Sequence, residues 1–250
     1  MRLLVLLSGI VDSKWPLTAD PAAAGALPRK LSPFDESALE CALKLRDADP
    51  SVRISATVVA PRVEETLLRT VASHRLDGVA GLEIAEAMLW DARAYSALLA
   101  AIVTREAGAD LVLLGREFGD GDDGVLAPCL AEALQWPLVG LAQEIVRNAS
   151  GWDLLRERGE LEEHIHLPGP LLASVTNDRR NRLRHPLMKN VAMAKKQAFA
   201  ITAADAATPA VRLQGLREGP VMRLATPCRM IRGSINEQAA ELAVLLRGRS

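Results

Sequence analysis

Strand-length apolar runs alternate with amphipathic helical patterns up to about residue 140, and few folds accommodate that alternation. Val5 to Leu7 lies in an apolar run at the start of the chain. "SPFDESALECALKLR" then carries a helix start. Ser32 is a side-chain cap, Pro33 takes the first helical position, and Asp35 and Glu36 place negative charge at the positive end of the helix dipole. Ala38, Leu39, Ala42 and Leu45 give that helix an apolar stripe. "VRISATVVAP" predicts a strand ending at Pro61, "RVEETLLRTVASH" a helix, "DGVAGLEI" a third strand, and "AYSALLAAIVTREAG" a helix stopped by Gly108. "ADLVLLG" holds a fourth strand, apolar from Leu111 onward, and "GVLAPCLAEALQW" is the helix after it. Strands linked through helices pair in parallel, and helices on both faces explain why the strands are apolar throughout.

Beyond residue 140 the texture changes to shorter alternating runs, with turns at Asn148–Gly151 and Pro168–Pro170. These predict antiparallel strands added to the same sheet, with "LLASVT" as a further apolar strand. "AADAATPA" reads as a solvent-facing connection, and "INEQAAELAVLLRG" as a C-terminal helix. No Pro-, Ser- or Gly-rich linker divides the chain. The expectation is one α/β domain over residues 1–200 and a C-terminal extension over 201–250.

Composition excludes several functions. A formal net charge of -1 lacks the basic excess of a general nucleic-acid binder. The three cysteines, Cys41, Cys129 and Cys228, lie far apart and form no CxxC pair, which suits reduced thiols in the cytoplasm and gives no metal framework. His164 and His166 share one face of a strand without a third ligand nearby, so no metal site is expected. The apolar core of "MRLLVLLSGIVD" is too short for a signal peptide, and no run reaches the roughly 20 apolar residues that span a bilayer.

In open parallel sheets, ligands sit beyond the carboxyl ends of the strands. Three stretches fall there: "LSGIVD", "SPFDE" and "GREFGDGDDGVLAP". In the last, Gly119, Gly121 and Gly124 allow tight turning, and the N–H groups of Gly124, Val125 and Leu126 open a helix as a phosphate cradle would. Asp120, Asp122 and Asp123 oppose that reading unless they point away. The spacing does not make a calcium loop, and neither a P-loop, a Rossmann fingerprint nor a G-x-S-x-G elbow is present. The residues alone describe a nucleotide-binding α/β domain without catalytic groups of its own.

Three stretches occur in a recognisable order: "SPFDESALECALKLR", "ADLVLLGREFGDGDDGVLAPCLAEALQWP" and "RNRLRHPLMKNVAMAKKQAF". Together they resemble the β subunit of electron transfer flavoproteins. The resemblance implies a three-layer adenine-nucleotide-binding α/β domain, flavodoxin-like or HUP-type, with antiparallel additions and a C-terminal arm packing on an α subunit. It also implies a heterodimer whose α subunit holds most of a redox-active FAD, AMP buried in the β subunit, and a docking loop for a flavin-dependent dehydrogenase. Electrons then pass to a membrane quinone oxidoreductase, without direct membrane insertion of this chain.

Carried over by position, the AMP pocket comprises Leu6, Ser8, Ser32, Pro33, Phe34, Asp35, Val59, Asp120, Asp122, Asp123, Gly124, Val125, Leu126, Ala127 and Leu130, with Phe34 near the flavin ring at the subunit interface. The docking loop, about residues 184–197, comprises Met188, Lys189, Asn190, Lys195 and Lys196, with Met188 where the family has an anchoring Leu. Arg179, Arg180, Arg182 and Arg184 are expected to steer acidic partners.

Several positions depart from the family pattern. Ser32 replaces Asn, and Ser13 falls where many relatives have an aromatic residue near the flavin. Val125 and Leu126 lack side-chain hydrogen-bonding groups, so backbone N–H groups would hold a phosphate. Two rival readings remain: an electron-bifurcating β subunit with a second FAD in place of AMP, and a stand-alone module similar to universal stress proteins.

Overall fold

A computed structural model describes residues 1–12, 14–15, 27–106, 108–122, 124–204, 209–211, 213–215 and 230–247. The chain divides into two compact units, Met1–Leu216 and Arg217–Ser250.

The first unit is built on a seven-stranded parallel sheet. Its strands are β1 (Arg2–Leu7), β4 (Arg53–Ala60), β5 (Gly78–Glu83), β6 (Leu111–Gly115), β7 (Leu138–Ala142), β11 (Leu171–Val175) and β12 (Ala200–Ala203), in the order β12-β5-β4-β1-β6-β11-β7. Between β1 and β4 in the chain, β2 (Ile10–Val11) and β3 (Arg29–Lys30) pair as a short antiparallel ribbon. β1 is central, and its alternate side chains feed two cores. Leu3, Val5 and Leu7 pack with α1 (Pro33–Ala48) and α2 (Glu65–Ala72) on one face. Leu4 and Leu6 pack with α3 (Ala92–Arg105) and α4 (Leu126–Leu134) on the other. This is the three-layer α/β architecture expected, and it explains the uninterrupted apolar strands: both faces are covered.

Local chemistry sets the helix starts. Ser32 Oγ accepts from Asp35 N at 2.9 Å and the Asp35 carboxylate accepts from Ser32 N at 3.1 Å, a reciprocal cap that fixes the start of α1. Asp91 accepts from Ala94 N at 3.0 Å and starts α3.

The region after residue 140 departs from expectation. Its alternating strands β8 (Glu144–Arg147), β9 (Trp152–Arg158) and β10 (Leu161–Leu167) do not extend the main sheet; they form a separate three-stranded antiparallel sheet. β7 and β11, which flank this insertion in the chain, both join the main sheet in parallel. Alternation reports that one face is buried, here by Ile145, Trp152 and Leu154, but not which sheet supplies the hydrogen bonds. The main sheet also takes in β12, which lies at and beyond position 200.

The second unit contains α6 (Ile235–Arg247), opened by a Ser234–Glu237 cap with Ser234 Oγ donating to Glu237 at 2.8 Å. No residue of α6 is buried, and Ile235, Val244 and Leu246 are exposed.

Candidate functional site

The chain runs from β1 outward to β4 and β5 on one side and crosses to β6 and β11 on the other. The crevice at the carboxyl ends of β1 and β6 is therefore the topological switch point, where ligands bind in sheets of this type. The loops after these two strands close on each other. Gly119, at a φ of 82°, passes so near β1 that an added Cβ would lie 2.7 Å from Ser8 Oγ. At the end of β6, a Cβ on Gly115 would lie 2.7 Å from the Cβ of Phe34, so only glycine lets α1 approach the strand.

Asp35 lies at the bottom of the crevice and is wholly buried. Its carboxylate accepts from Gly9 N at 3.0 Å and Ser8 N at 3.4 Å besides closing the α1 cap. Burial raises its pKa, while the bonds from Ser32, Gly9 and Ser8 favour the carboxylate form. Asp120 accepts from Val11 N at 2.9 Å and from the Arg29 guanidinium at 2.9 Å. Arg29, nearly buried, also donates to Gly9 O at 3.1 Å. Arg29 was not among the sequence candidates, because nothing in the sequence around it signals a contact with a loop 91 residues away.

Asp122 has the most contacts. Its Oδ1 accepts from Gly124 N at 3.0 Å, Val125 N at 2.9 Å and Leu126 N at 3.2 Å, and its Oδ2 accepts from Phe118 N at 3.0 Å. The backbone groups expected to cradle a phosphate are thus already bonded to a carboxylate of the same loop. Further along, Pro128 has no N–H to offer, and Cys129 N donates to Val125 O. The nearby cations are paired, Arg29 with Asp120 and Lys30 with Asp12. A phosphate here would have to displace the Asp122 carboxylate, so the loop as it stands does not fit the phosphate of AMP or of a second FAD. The adjoining cleft, between Trp90, Tyr95, Phe118 and Val125, is about 210 Å³, smaller than the roughly 300–1,000 Å³ of ligand pockets.

Of the remaining candidates, the structure gathers Ser8, Ser32, Pro33, Phe34 and Asp35 around the exit of β1. It places Leu6, Val59, Leu126, Ala127 and Leu130 in the core, where their side chains pack among Tyr95, Leu99 and Phe118. Asp123 and Ser13 lie outside the described residues. Among the described residues no group of His, Cys, Asp and Glu is arranged to hold a metal. His166 instead pairs with Asp153 at 2.7 Å and His164 with Glu162 at 3.0 Å.

A profile of the electron transfer flavoprotein domain matches residues 23–209, a span that includes Arg29, the start of α1, the loop after β6 and the whole docking segment. The chain belongs to the electron transfer flavoprotein family. It is 28% identical over 212 residues to the mitochondrial electron transfer flavoprotein subunit beta of Oryza sativa subsp. indica, covering 80% of each chain. The electron transfer flavoprotein subunit beta of Homo sapiens is 26% identical over 208 residues, again 80% of each. Subunit CarD of the caffeyl-CoA reductase-Etf complex of Acetobacterium woodii is 30% identical over 157 residues, 58% of this chain and 56% of that one.

The segment that the electron transfer flavoprotein resemblance assigns to docking forms α5 (Met188–Ala194). Met188 is 81% exposed, and Lys189, Lys195 and Lys196 are also exposed. Asn190 is half-buried, and its Oδ1 has no hydrogen-bond partner. The arginines before it are not all free to steer a partner, which corrects the sequence reading. Arg184 grips the buried Glu40 carboxylate at 2.7 Å and also pairs with Asp47, while Arg180 pairs with Glu157. They fasten the segment to α1 and to the small sheet, a role that a cluster of like charges in sequence does not reveal. No helix among the described residues is long and apolar enough to cross a membrane.

Proposed function

We propose that this chain is the β subunit of a heterodimeric electron transfer flavoprotein in the cytoplasm, serving as an electron-carrier subunit without catalytic residues. It completes an FAD site formed with an α subunit, and α5 docks a flavin-dependent dehydrogenase. The observation that carries this reading is the family match, which takes in Phe34, the loop after β6 and α5. When bound, FAD supplies the ring that accepts and releases electrons. The part of this chain is to shape one side of that site. Phe34 is half-buried beside Gly115 at the carboxyl edge of the sheet, where an aromatic surface suits a flavin. The exposed apolar residues of α6 suit packing on the α subunit, and a quinone oxidoreductase takes the electrons onward.

The readings that place AMP or a second FAD in this subunit need phosphates at the loop that Asp122 fills, so neither is part of the proposal. Phe34→Ala tests the flavin assignment. In the purified heterodimer it is expected to lower FAD retention or shift the flavin potential; an unaltered spectrum, content and potential would remove Phe34 from the site.

A further inference from the structure

Beside α5 lies a cleft of about 510 Å³ whose lining includes Arg46, Arg53, Arg75, Asp77, Asn190 and Met193. It sits at the end of the sheet opposite the crevice, where β4 begins at Arg53 and β5 follows Asp77. Three guanidinium groups face one carboxylate, and that carboxylate is committed: Asp77 accepts from Arg53 at 3.1 Å and from Ile54 N at 2.8 Å. Arg46 donates to His74 O at 2.9 Å and to Arg75 O, two neutral carbonyls, and makes no direct ion pair among the described residues. Burial, with Arg184 and Arg75 nearby, holds its pKa below the usual arginine range despite Asp77 and Asp47. Arg75 is exposed and its guanidinium has no partner among the described residues. Its backbone stands at a φ of 58°, a conformation glycine adopts freely and arginine only at a cost of order 1–2 kcal/mol.

The cleft is continuous with the docking helix. Met193 lines it and is 63% exposed. The half-buried Asn190, whose Oδ1 lacks a donor, also lines it. An acidic residue in a protein segment offers what is missing here: a carboxylate for the arginines and neighbouring apolar side chains for Met193. A small free anion would use only the arginines.

We propose that this arginine cleft receives an Asp or Glu side chain of the dehydrogenase that α5 docks. The proposal rests on the docking reading of α5 and adds to it a second, electrostatic anchor.

The test uses the FAD-loaded heterodimer and, as probe, whichever of a panel of purified flavin-dependent dehydrogenases reduces it. Arg75→Glu is expected to raise KM for the heterodimer about tenfold and Arg75→Gln about threefold, with kcat and FAD content unchanged and a shallower dependence on ionic strength. Met188→Ala is expected to raise KM while leaving the salt dependence as it was. If Arg75→Glu keeps wild-type KM and salt dependence while Met188→Ala weakens transfer, the cleft proposal is overturned and the docking reading stands. If neither variant changes KM, or no dehydrogenase reduces the wild type, both fall. If Arg75→Glu abolishes heterodimer formation, the cleft belongs to the α interface and the proposal is overturned.

Discussion

Replacing Asp122 with Ala removes one carboxylate that serves four backbone donors, those of Phe118, Gly124, Val125 and Leu126, at 2.9–3.2 Å. Losing a helix N-terminal cap costs about 0.5–2 kcal/mol. Asp122 is only half-buried, so water replaces part of the loss, but four donors on one side chain place the cost near 2 kcal/mol. For a chain of this size each kcal/mol lowers Tm by roughly 2–4 °C, so the variant should melt roughly 4–8 °C lower. Asp122→Asn keeps an acceptor for the three donors on Oδ1 and sets an amide against Phe118 N, a loss of about 1 kcal/mol. Calorimetry of the heterodimer in phosphate-free buffer measures both. Adding inorganic phosphate should raise the Tm of Asp122→Ala and leave the wild type unchanged, because only the variant has the cradle open. An Asp122→Ala Tm within roughly 1 °C of wild type would refute the reasoning. So would stoichiometric AMP released from the denatured wild-type heterodimer.

Two further outcomes follow from buried groups. Arg184→Ala strands the Glu40 carboxylate, whose side chain is 6% exposed, and should cost about 1–3 kcal/mol in urea denaturation. A Glu40→Leu, Arg184→Leu double variant should recover most of that loss, since it leaves no unpaired charge. Burial, ahead of the opposing pull of Glu40, holds the His74 imidazole below the usual histidine range. The unfolded chain then takes up this proton near pH 6.5 while the folded chain does not, so stability is full above about 6.5 and falls as the pH drops. His74→Gln should flatten that fall below about pH 6.5; an unchanged pH profile would show that other groups cause it.

What the sequence discloses follows from which interactions are local. β1 and β6 are legible because burial on both faces leaves an apolar run, and the start of α1 because Ser32, Pro33 and Asp35 act within one turn. The partners of β8–β10 are not legible, since the same alternation serves the main sheet or a separate one. Nor is the fate of the acidic loop. Three aspartates in "DGDD" look equivalent in sequence, yet Asp120 turns to Val11 and Arg29, and Asp122 turns inward to cap its own helix. Arg29 holds Asp120, and that contact joins segments far apart in the chain. Likewise the arginines ahead of α5 read as a free basic patch until Glu40 and Glu157 are brought opposite them.

The most direct measurement is to co-express this chain with its α subunit, purify the complex, denature it and quantify what it releases. The account predicts a stable heterodimer that yields one FAD and no AMP, with the flavin reduced by a dehydrogenase before denaturation. A chain that purifies alone, without flavin and without an α subunit, would contradict it.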